Sequence, residues 1–233
     1  MLTIESLVFA YGAVRALDDL TVTFERGEIC GLIGPNGAGK STAIDAISGR
    51  VTPRGGHIGY EGVDITKKSV IARHRMGISR SFQRMSVFPR LSIGQQLRLA
   101  AAVSDDGRHR TADIIDAFEL VEFLHEPCGE TSYGVQRRVD LALSLVSSPR
   151  LLLLDEPAAG LTRDESLRLC GTLVDLVREM KSTVIIVEHD MEVIFSLCDR
   201  VVVLARGQLL AQGSPDLVRV DERVVSAYLG DSA

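Results

Sequence analysis

The chain has 233 residues, and its 26 Lys and Arg against 31 Asp and Glu give a formal net charge of −5. Hydrophobic residues make up 45% of it and charged residues 24%, which is ordinary for a globular protein and excludes a mostly disordered chain. The apolar runs reach about six residues, whereas a membrane-spanning helix needs roughly 20, and the first residues show no basic region followed by an apolar stretch, so we expect no secretory leader in them. We therefore expect a protein that is cytosolic or peripheral on a membrane.

The cysteines are widely spaced and form no Cys-x-x-Cys pair. They are Cys30, Cys128, Cys170 and Cys198. This spacing argues against a zinc site or a disulfide framework, and it predicts buried, reduced thiols.

The N-terminal part of the chain reads as strands followed by the opening of an α/β unit. Early strands are predicted around residues 8–9 and 22–24, with a turn at Tyr11-Gly12 between them. The short apolar run Ile29–Ile33 ends in a glycine-rich turn, and residues 41–47 have helical character. Strand, loop and helix in this order are typical of an α/β fold.

The remainder is predicted to be a helical segment followed by a return to the α/β pattern. Between residues 92 and 130, apolar residues recur at helical spacing and strand signals are absent. Apolar strands and helices then alternate, at 151–154, 164–180, 183–187, 191–197 and 200–204. Because such alternation is typical of parallel sheets with covered faces, we expect a mostly parallel core sheet. Short helices over 214–229 end the chain, with Ser214 as a cap before Pro215.

Positive charge is concentrated between residues 65 and 104, where no Asp or Glu occurs. The window holds Lys67, Lys68, Arg73, Arg75, Arg80, Arg84, Arg90 and Arg98. Two interpretations stay open: a solvated face with acidic partners elsewhere in the fold, which we favour slightly, or a surface facing an anionic partner such as lipid headgroups. The net acidic chain argues against nucleic-acid binding.

The most specific pattern is a phosphate-binding loop. The residues Gly34-Pro35-Asn36-Gly37-Ala38-Gly39-Lys40-Ser41 fit the pattern G-x-x-x-x-G-K-S/T, and they follow an apolar strand and open a helix, as that pattern requires. Backbone N–H groups at a helix N-terminus wrap phosphate oxygens, and glycines let the backbone approach them. The pattern predicts that Lys40 contacts the β- and γ-phosphates of a nucleotide and that the Ser41 hydroxyl ligates Mg²⁺.

Two carboxylates follow the apolar strand at 151–154. A buried strand delivers Asp155 to the carboxyl edge of the sheet, where open α/β folds bind their ligands, and this position suits an Mg²⁺ partner. Glu156 beside it is placed to polarise an attacking water as a general base. The alternative, an N-cap cluster before the next helix, is weak beside the phosphate-binding loop.

Together these motifs resemble the ATP-binding subunit of ATP-binding cassette (ABC) transporters, over essentially the full chain. The resemblance implies an α/β P-loop NTPase fold with N-terminal antiparallel strands and a helical subdomain. Gln83 matches the family's Q-loop glutamine, and His189, after the strand at 183–187, matches its switch histidine on the γ-phosphate. Tyr11 sits where the family stacks an aromatic ring on adenine, with a core tyrosine as the alternative. Residues 158–161 match the D-loop.

The resemblance implies a complete site for ATP and Mg²⁺. The catalytic residues are then Glu156, His189, Gln83 and Lys40, and the metal ligands are Ser41, Gln83 and Asp155. The nucleotide-binding residues are Tyr11, Gly34, Pro35, Asn36, Gly37, Ala38, Gly39, Lys40, Ser41, Thr42, Gln83, Ser132, Gly134 and Asp155.

The signature segment departs from the family pattern. Where the family has Leu-Ser-Gly-Gly-Gln, residues 131–135 read Thr-Ser-Tyr-Gly-Val. Ser132 and Gly134 are retained and offer a hydroxyl and an N–H to the γ-phosphate of a facing subunit, whereas Val135 loses a polar contact. The tyrosine-glycine signature, the Arg-Arg pair after it and the terminal Ala-Tyr-Leu-Gly resemble the branch that imports branched-chain amino acids and related amides, although the helical segment is shorter than is usual there.

The resemblance also implies an organisation and partners. A single cassette over 1–233 would comprise an ATP-binding core (1–90 and 150–213), a helical signature subdomain (91–149) and C-terminal short helices (214–233). We expect an ATPase on the cytoplasmic face of the cell membrane, with transmembrane permease subunits, a second identical or sister ABC ATPase and an external substrate-binding protein. A lipid-export ATPase, a soluble ABC ATPase outside transport and a non-hydrolytic ATP-binding module are the alternatives.

An apolar cluster after Gln83 is the predicted dock for a permease helix. It comprises Met85, Val87, Phe88 and Pro89, flanked by Arg84 and Arg90. The alternative is that Val87 and Phe88 fill the core of the subdomain itself.

Overall fold

A computed structural model describes residues 1–81, 85–102 and 107–229, apart from the side chains of 107–109 and 229. The chain divides into two compact units. The first unit consists of Met1–Met76 and the chain from Thr183 onward, and the second unit consists of Gly77–Ser182.

The elements follow one another as an α/β chain with a helical stretch in its middle. The strands are β1 (Leu2–Tyr11), β2 (Val14–Phe24), β3 (Ile29–Ile33), β4 (Gly55–Tyr60), β5 (Val63–Asp64), β6 (Ile78–Arg80), β7 (Leu151–Asp155), β8 (Thr183–Val187), β9 (Arg200–Ala205) and β10 (Gln208–Gly213). The helices are α1 (Lys40–Ser48), α2 (Val70–Arg75), α3 (Ile93–Ala101), α4 (Gly107–Ala117), α5 (Tyr133–Leu145), α6 (Arg163–Glu179), α7 (Met191–Leu197), α8 (Pro215–Arg219) and α9 (Glu222–Leu229).

An antiparallel sheet in the order β2-β1-β4-β5 lies in the first unit. Along β2, Leu20, Val22 and Phe24 are buried, while Thr21 and Thr23 between them are exposed. This period of two is that of a strand with one face on the core. The predicted N-terminal antiparallel strands are confirmed.

A parallel sheet in the same unit positions the phosphate-binding loop. β3 lies between β8 and β9 and is parallel to both, and β10 pairs antiparallel with β9. Every residue of β3 and β8 is buried, which explains why their sequences are continuous apolar runs. Because parallel strands end at the same edge, the loops that follow β3 and β8 leave the sheet side by side.

The second unit combines a parallel strand pair, β6 and β7, with the helical stretch. Its helices α3, α5 and α6 begin at N-caps: the hydroxyls of Ser92, Ser132 and Thr162 each accept the backbone N–H three residues further on. Between residues 92 and 130, the described part of the chain forms helices and no strand, as predicted.

Several short elements were not predicted: β4, β5, β6, β10 and α2. β5 has two residues and β6 has three, too few for a periodic pattern, and half of β4 is glycine. These strands exist because a partner strand pairs with them. At the C-terminal end, Ser214 precedes α8 with Pro215 in its first turn, but the serine side chain makes no capping bond.

Two arginines of the basic window are not surface charges. Arg73 is 1% exposed and donates to the carbonyl oxygens of Ala46 and Ile47, at the end of α1. Arg80 forms an ion pair with Asp155. Arg73 therefore fits neither interpretation of the window. Arg80 has the acidic partner from elsewhere in the fold that the first interpretation expects, but the pair is buried rather than solvated. Arg84 lies outside the described residues.

All four cysteines are buried and unbridged, and burial raises the pKa of the Cys30 thiol. Within the described ranges, no helix has the length and apolarity that crossing a membrane requires.

Candidate functional site

The loop after β3 has the backbone of a phosphate-binding loop. Gly34 and Gly39 have φ angles of 148° and 104°, which residues with side chains rarely adopt. A Cβ at Gly34 would lie 2.2 Å from the carbonyl oxygen of Leu204, and one at Gly39 would lie 2.5 Å from that of Ala16. Both positions therefore require glycine. α1 begins at Lys40, so the N–H groups of its first turn, which lack intrahelical acceptors, open into this loop.

The Lys40 ammonium is held inside the loop. The residue is 7% exposed, and Nζ donates to the carbonyl oxygens of Gly34 at 2.6 Å and Pro35 at 3.0 Å. These bonds keep a cation within the backbone that is predicted to wrap phosphate. Among the other predicted residues of the loop and of α1, Asn36, Gly37 and Ser41 are exposed, and Ala38 and Thr42 are buried.

His189 lies at the same edge of the parallel sheet. It directly follows Glu188, just beyond the end of β8, which is the strand that pairs with β3, and it is exposed. Its N–H donates to Oε2 of Glu188 at 3.1 Å. Asp190 caps α7 by accepting the N–H of Glu192 at 2.9 Å. The first unit thus brings the phosphate-binding loop and the predicted switch histidine to adjacent strand ends.

Tyr11 presents its ring to solvent. The residue ends β1, is 54% exposed, and lies edge-on to Phe9 with 4.8 Å between the ring centroids. The alternative of a core tyrosine is therefore wrong. An accessible ring at this place suits stacking on a base.

A second tyrosine contacts the phosphate-binding loop and was not predicted. Tyr228, in α9, is half-buried, and burial raises its pKa to about 12, while the nearby backbone N–H of Gly34 opposes the rise. The sequence signal for this contact is the terminal Ala-Tyr-Leu-Gly segment. By itself that segment indicates a branch of the family, and it does not reveal which residues Tyr228 contacts.

In the second unit, Asp155 occupies the predicted strand end. It is the last residue of β7, and its Oδ2 accepts a hydrogen bond from Nη2 of Arg80 at 3.0 Å. The side chains of both residues are 8% exposed. Arg80 was missed as a partner because it lies 75 residues away in sequence and meets Asp155 through the pairing of β6 with β7.

Glu156 has a strained backbone that a buried arginine supports. Its φ angle is 52°, in the left-handed region that residues with a Cβ rarely adopt. The carbonyl oxygens of Glu156 and Pro157 accept hydrogen bonds from the guanidinium of Arg137. Arg137 is completely buried and forms an ion pair with Asp140, with 3.3 Å between Nη1 and Oδ2. Sequence reasoning noted the Arg-Arg pair as a family feature and missed this role.

The signature segment opens α5. The Oγ of Ser132 accepts the N–H of Val135 at 3.4 Å, and a Cβ at Gly134 would meet no atom within 4 Å, so this backbone faces open space. Tyr133 donates its hydroxyl to the carbonyl oxygen of Ala159 at 2.8 Å, within the predicted D-loop. Val135 is 5% exposed, so an apolar side chain suits its place. Two of the three departures from the family pattern, Tyr133 and Val135, thus have a structural reason.

The predicted dock begins just beyond Gln83, which lies outside the described residues, so its role stays a prediction. Phe88 is 63% exposed, and the alternative that it fills the core is therefore wrong. Its N–H donates to Oε1 of the buried Gln96 at 2.9 Å, while the carbonyl oxygen of Pro89 accepts the N–H of Gly129 at 2.9 Å. A fixed backbone therefore presents an exposed aromatic ring.

The sequence matches two families. Residues 17–159 match the family described as ABC transporter, and residues 208–233 match one described as branched-chain amino acid ATP-binding cassette transporter.

Named relatives cover the whole chain. It is 30% identical to the high-affinity branched-chain amino acid transport ATP-binding protein BraF of Pseudomonas aeruginosa, over 100% of this chain and 98% of that protein. The corresponding LivG protein of Escherichia coli is 29% identical with the same coverage. The lipopolysaccharide export system ATP-binding protein LptB of Escherichia coli is 33% identical over 99% of this chain and 97% of its own.

Solved structures share the fold. A nucleotide-free ATP-binding cassette from an ABC transporter superposes with a TM-score of 0.87 at 25% identity, over 98% of both chains. The ADP conformation of an ATP-binding cassette of an ABC transporter gives 0.88 at 25% identity, over 99% of this chain and 98% of the other. The predicted P-loop NTPase fold and nucleotide-binding class are confirmed. The chain belongs to the ABC transporter family and is a nucleotide-binding ATPase subunit of a transporter.

Proposed function

We propose that this ATPase subunit powers the import of branched-chain amino acids or related amides. The observation that carries the proposal is the match of residues 208–233, because that segment includes α9, whose Tyr228 lies near the backbone N–H of Gly34 in the phosphate-binding loop. The full-length similarity to BraF and LivG supports the same substrate class.

The nucleotide in this proposal is ATP, bound through the residues named from the sequence. Lys40 and the backbone of loop 34–42 hold the phosphates, Tyr11 stacks on adenine, and His189 contacts the γ-phosphate. The exposed Ser132 and the open backbone at Gly134 bind the γ-phosphate of a second ATPase subunit, identical or sister. The buried ammonium and the glycines of the loop support this assignment.

Mg²⁺ fits the oxygen donors that these motifs offer. We assign the Ser41 hydroxyl, the Asp155 carboxylate and the Gln83 side chain as its ligands, because Mg²⁺ prefers hard oxygen ligands together with substrate phosphates. Bound Mg²⁺ would neutralise charge on the phosphates. Arg80 orients the Asp155 carboxylate from the side of β6.

Glu156 is the proposed general base for the attacking water. The bonds from Arg137 to the backbone that follows the Glu156 Cα, and the buried strand β7 that precedes it, support this assignment. Gln83 and His189 are further catalytic residues in this proposal. Positioning and electrostatic stabilisation of the phosphoryl group then supply most of the rate enhancement.

The transport partners follow from the same proposal. A permease helix docks on the segment 85–90, which we name the docking segment, and an external binding protein delivers the substrate. The ATPase is then peripheral on the cytoplasmic face of the membrane and does not act on nucleic acid. Residues 1–90 and 150–213 form the ATP-binding core, 91–149 the signature subdomain and 214–233 a C-terminal extension.

Lipid export is the second candidate, favoured by the 33% identity to LptB. A transport assay separates the two. The tagged chain is isolated from membranes with its permease and reconstituted in vesicles. ATP-dependent uptake of leucine is then compared with ATP-dependent extraction of a lipopolysaccharide-type lipid. We expect ATP-dependent leucine or amide uptake. Lipid extraction without uptake would reject the import proposal.

A Glu156→Gln variant is the matched control for this assay. It retains the size and hydrogen-bonding shape of the side chain but removes the base, so we expect ATP turnover to fall by about a hundredfold or more while ATP binding persists. Light scattering with ATP should then detect a stable dimer. Turnover equal to that of the wild type would reject Glu156 as the base.

A further inference from the structure

Arg137 is a buried cation that donates hydrogen bonds to backbone oxygens of the loop after β7. It is completely buried in α5, and its guanidinium donates to the carbonyl oxygens of Glu156 and Pro157, which lie 19 and 20 residues away in sequence. A guanidinium is planar and presents several N–H groups in a fixed arrangement, so it holds two adjacent carbonyl groups at once. These bonds fix the Glu156–Pro157 and Pro157–Ala158 peptide units, which directly follow the Glu156 Cα.

The backbone that Arg137 holds is a strained one. Glu156 has a φ of 52°, and such a conformation in a residue with a Cβ persists where the surrounding structure over-determines it. The direction in which the Glu156 side chain leaves the chain depends on that φ angle. A change in the Arg137 bonds would therefore move the carboxylate through the backbone of Glu156.

Asp140 joins Arg137 to the docking segment. Its Oδ2 pairs with Arg137 one helical turn earlier, and its Oδ1 accepts the backbone N–H of Ser86 at 2.7 Å. Asp140 is 4% exposed, and burial raises its pKa, while the Ser86 N–H and the charge of Arg137 oppose the rise. A single buried carboxylate thus binds both the arginine and the docking segment.

We propose that Arg137 is a positioning residue for the Glu156 carboxylate, and that Asp140 ties this position to the docking segment through Ser86. The inference rests on the proposed role of Glu156 as the general base. It gives α5 a role within its own subunit, separate from the proposed binding of a facing subunit's γ-phosphate by Ser132 and Gly134. A displacement of the docking segment would displace Asp140 through the Ser86 bond, and Arg137 would transmit that displacement to the backbone of Glu156.

The test is Arg137→Lys in the full chain with its permease. Lysine keeps the charge and the ion pair with Asp140, but a single ammonium cannot reproduce the paired bonds of a guanidinium. We expect kcat for ATP to fall by about tenfold or more, because small displacements of reacting groups are costly, with KM within about twofold. The thermal midpoint and the affinity for a non-hydrolysable ATP analogue should change little.

Arg138→Lys is the matched control on the same helix. Arg138 donates to the carbonyl oxygens of Phe118 and Glu119 and to the Glu119 carboxylate. We expect its kcat to stay within about twofold of the wild type. Equal kcat losses in the two variants, or a fall in kcat for Arg137→Lys that merely follows a lower thermal midpoint, would overturn the inference.

Asp140→Asn separates charge from shape. Asparagine keeps an oxygen that can accept the Ser86 N–H but removes the negative charge that pairs with Arg137 at this position. We expect a kcat loss like that of Arg137→Lys and a reduced stimulation of ATP turnover by the permease. Wild-type stimulation in a variant that folds would contradict the link to the docking segment.

A double variant distinguishes failure of this inference from failure of the proposed base. In a Glu156→Gln background, Arg137→Lys should add no further loss to the residual turnover, because it acts through the residue already removed. A further tenfold loss would mean that Arg137 acts independently of Glu156. Wild-type turnover in Glu156→Gln alone would reject the base assignment instead.

Discussion

At the scale of single residues, Asp221 shows how a half-buried carboxylate stabilises the start of a helix. It precedes α9, and its Oδ1 accepts the N–H of Arg223 at 2.9 Å while its Oδ2 pairs with the guanidinium of Arg223 at 2.7 Å. These side-chain and backbone hydrogen bonds lower the pKa of Asp221 from 3.8 to about 2. The same helix carries Tyr228, which contacts the phosphate-binding loop.

We predict a pH dependence from this shift. Because the pKa is lower in the folded than in the unfolded chain, the ionised Asp221 stabilises the fold above pH 3.8, and this contribution is lost as pH falls toward about 2. Asp221→Asn should remove that part of the pH dependence. Thermal unfolding of both proteins between pH 2 and pH 5 measures it, and identical pH profiles would contradict the prediction.

Position 135 illustrates how a residue that departs from a family pattern can fit its own surroundings. The sequence indicates only that Val135 replaces a polar residue and loses a contact. In the structure its side chain is buried, and its backbone N–H completes the cap at Ser132. The departure therefore leaves the start of α5 intact.

At the scale of elements, α1 is held at both ends. Its first turn opens into the phosphate-binding loop, and its last carbonyl groups accept hydrogen bonds from Arg73. The Arg73 guanidinium also donates to the carbonyl oxygens of Thr66 and Lys68, each at 3.0 Å. Burial lowers the pKa of Arg73 to about 10, and the cation is retained because four carbonyl oxygens surround it.

Arg73→Met tests this end of α1. Methionine keeps the apolar bulk but leaves the buried carbonyl groups without their donor, so we expect a loss of about 2–4 kcal/mol in the free energy of unfolding. Arg75→Met, at an exposed position of the same helix α2, is the control and should change it by about 0.5 kcal/mol or less. Urea unfolding of both variants provides the comparison. Equal losses would show that the carbonyl bonds of Arg73 contribute little.

At the scale of the whole molecule, the chain is one subunit of a transporter, and the proposed docking segment carries an exposed aromatic side chain. Phe88 is 63% exposed, and its backbone N–H donates to Oε1 of Gln96. Large exposed aromatic residues on a rigid backbone are typical of interface centres.

Phe88→Asp should uncouple transport from nucleotide binding. A carboxylate in an apolar contact costs binding energy, so we expect ATP-driven uptake by the reconstituted complex to fall by about tenfold or more, with ATP affinity of the ATPase unchanged. Val121→Asp is the control, because Val121 is also an exposed apolar residue of the second unit, at 56%. Unchanged uptake in Phe88→Asp, or an equal fall in both variants, would reject the docking segment.

The sequence by itself determined the local features. The phosphate-binding loop and the strands at 151–154 and 183–187 depend on short patterns of neighbouring residues, which are visible before the chain folds. The strand ends that carry Asp155 and His189 were predicted for the same reason.

The tertiary structure alone decided which distant groups meet. Arg80 reaches Asp155 only when β6 pairs with β7, Arg137 reaches Glu156 only when α5 packs on the loop after β7, and Tyr228 reaches Gly34 only when α9 folds back. An arginine in a sequence looks the same whether it ends in water or among buried carbonyl groups. Its environment is set by segments far along the chain, because burial and hydrogen-bond partners are products of packing rather than of local pattern.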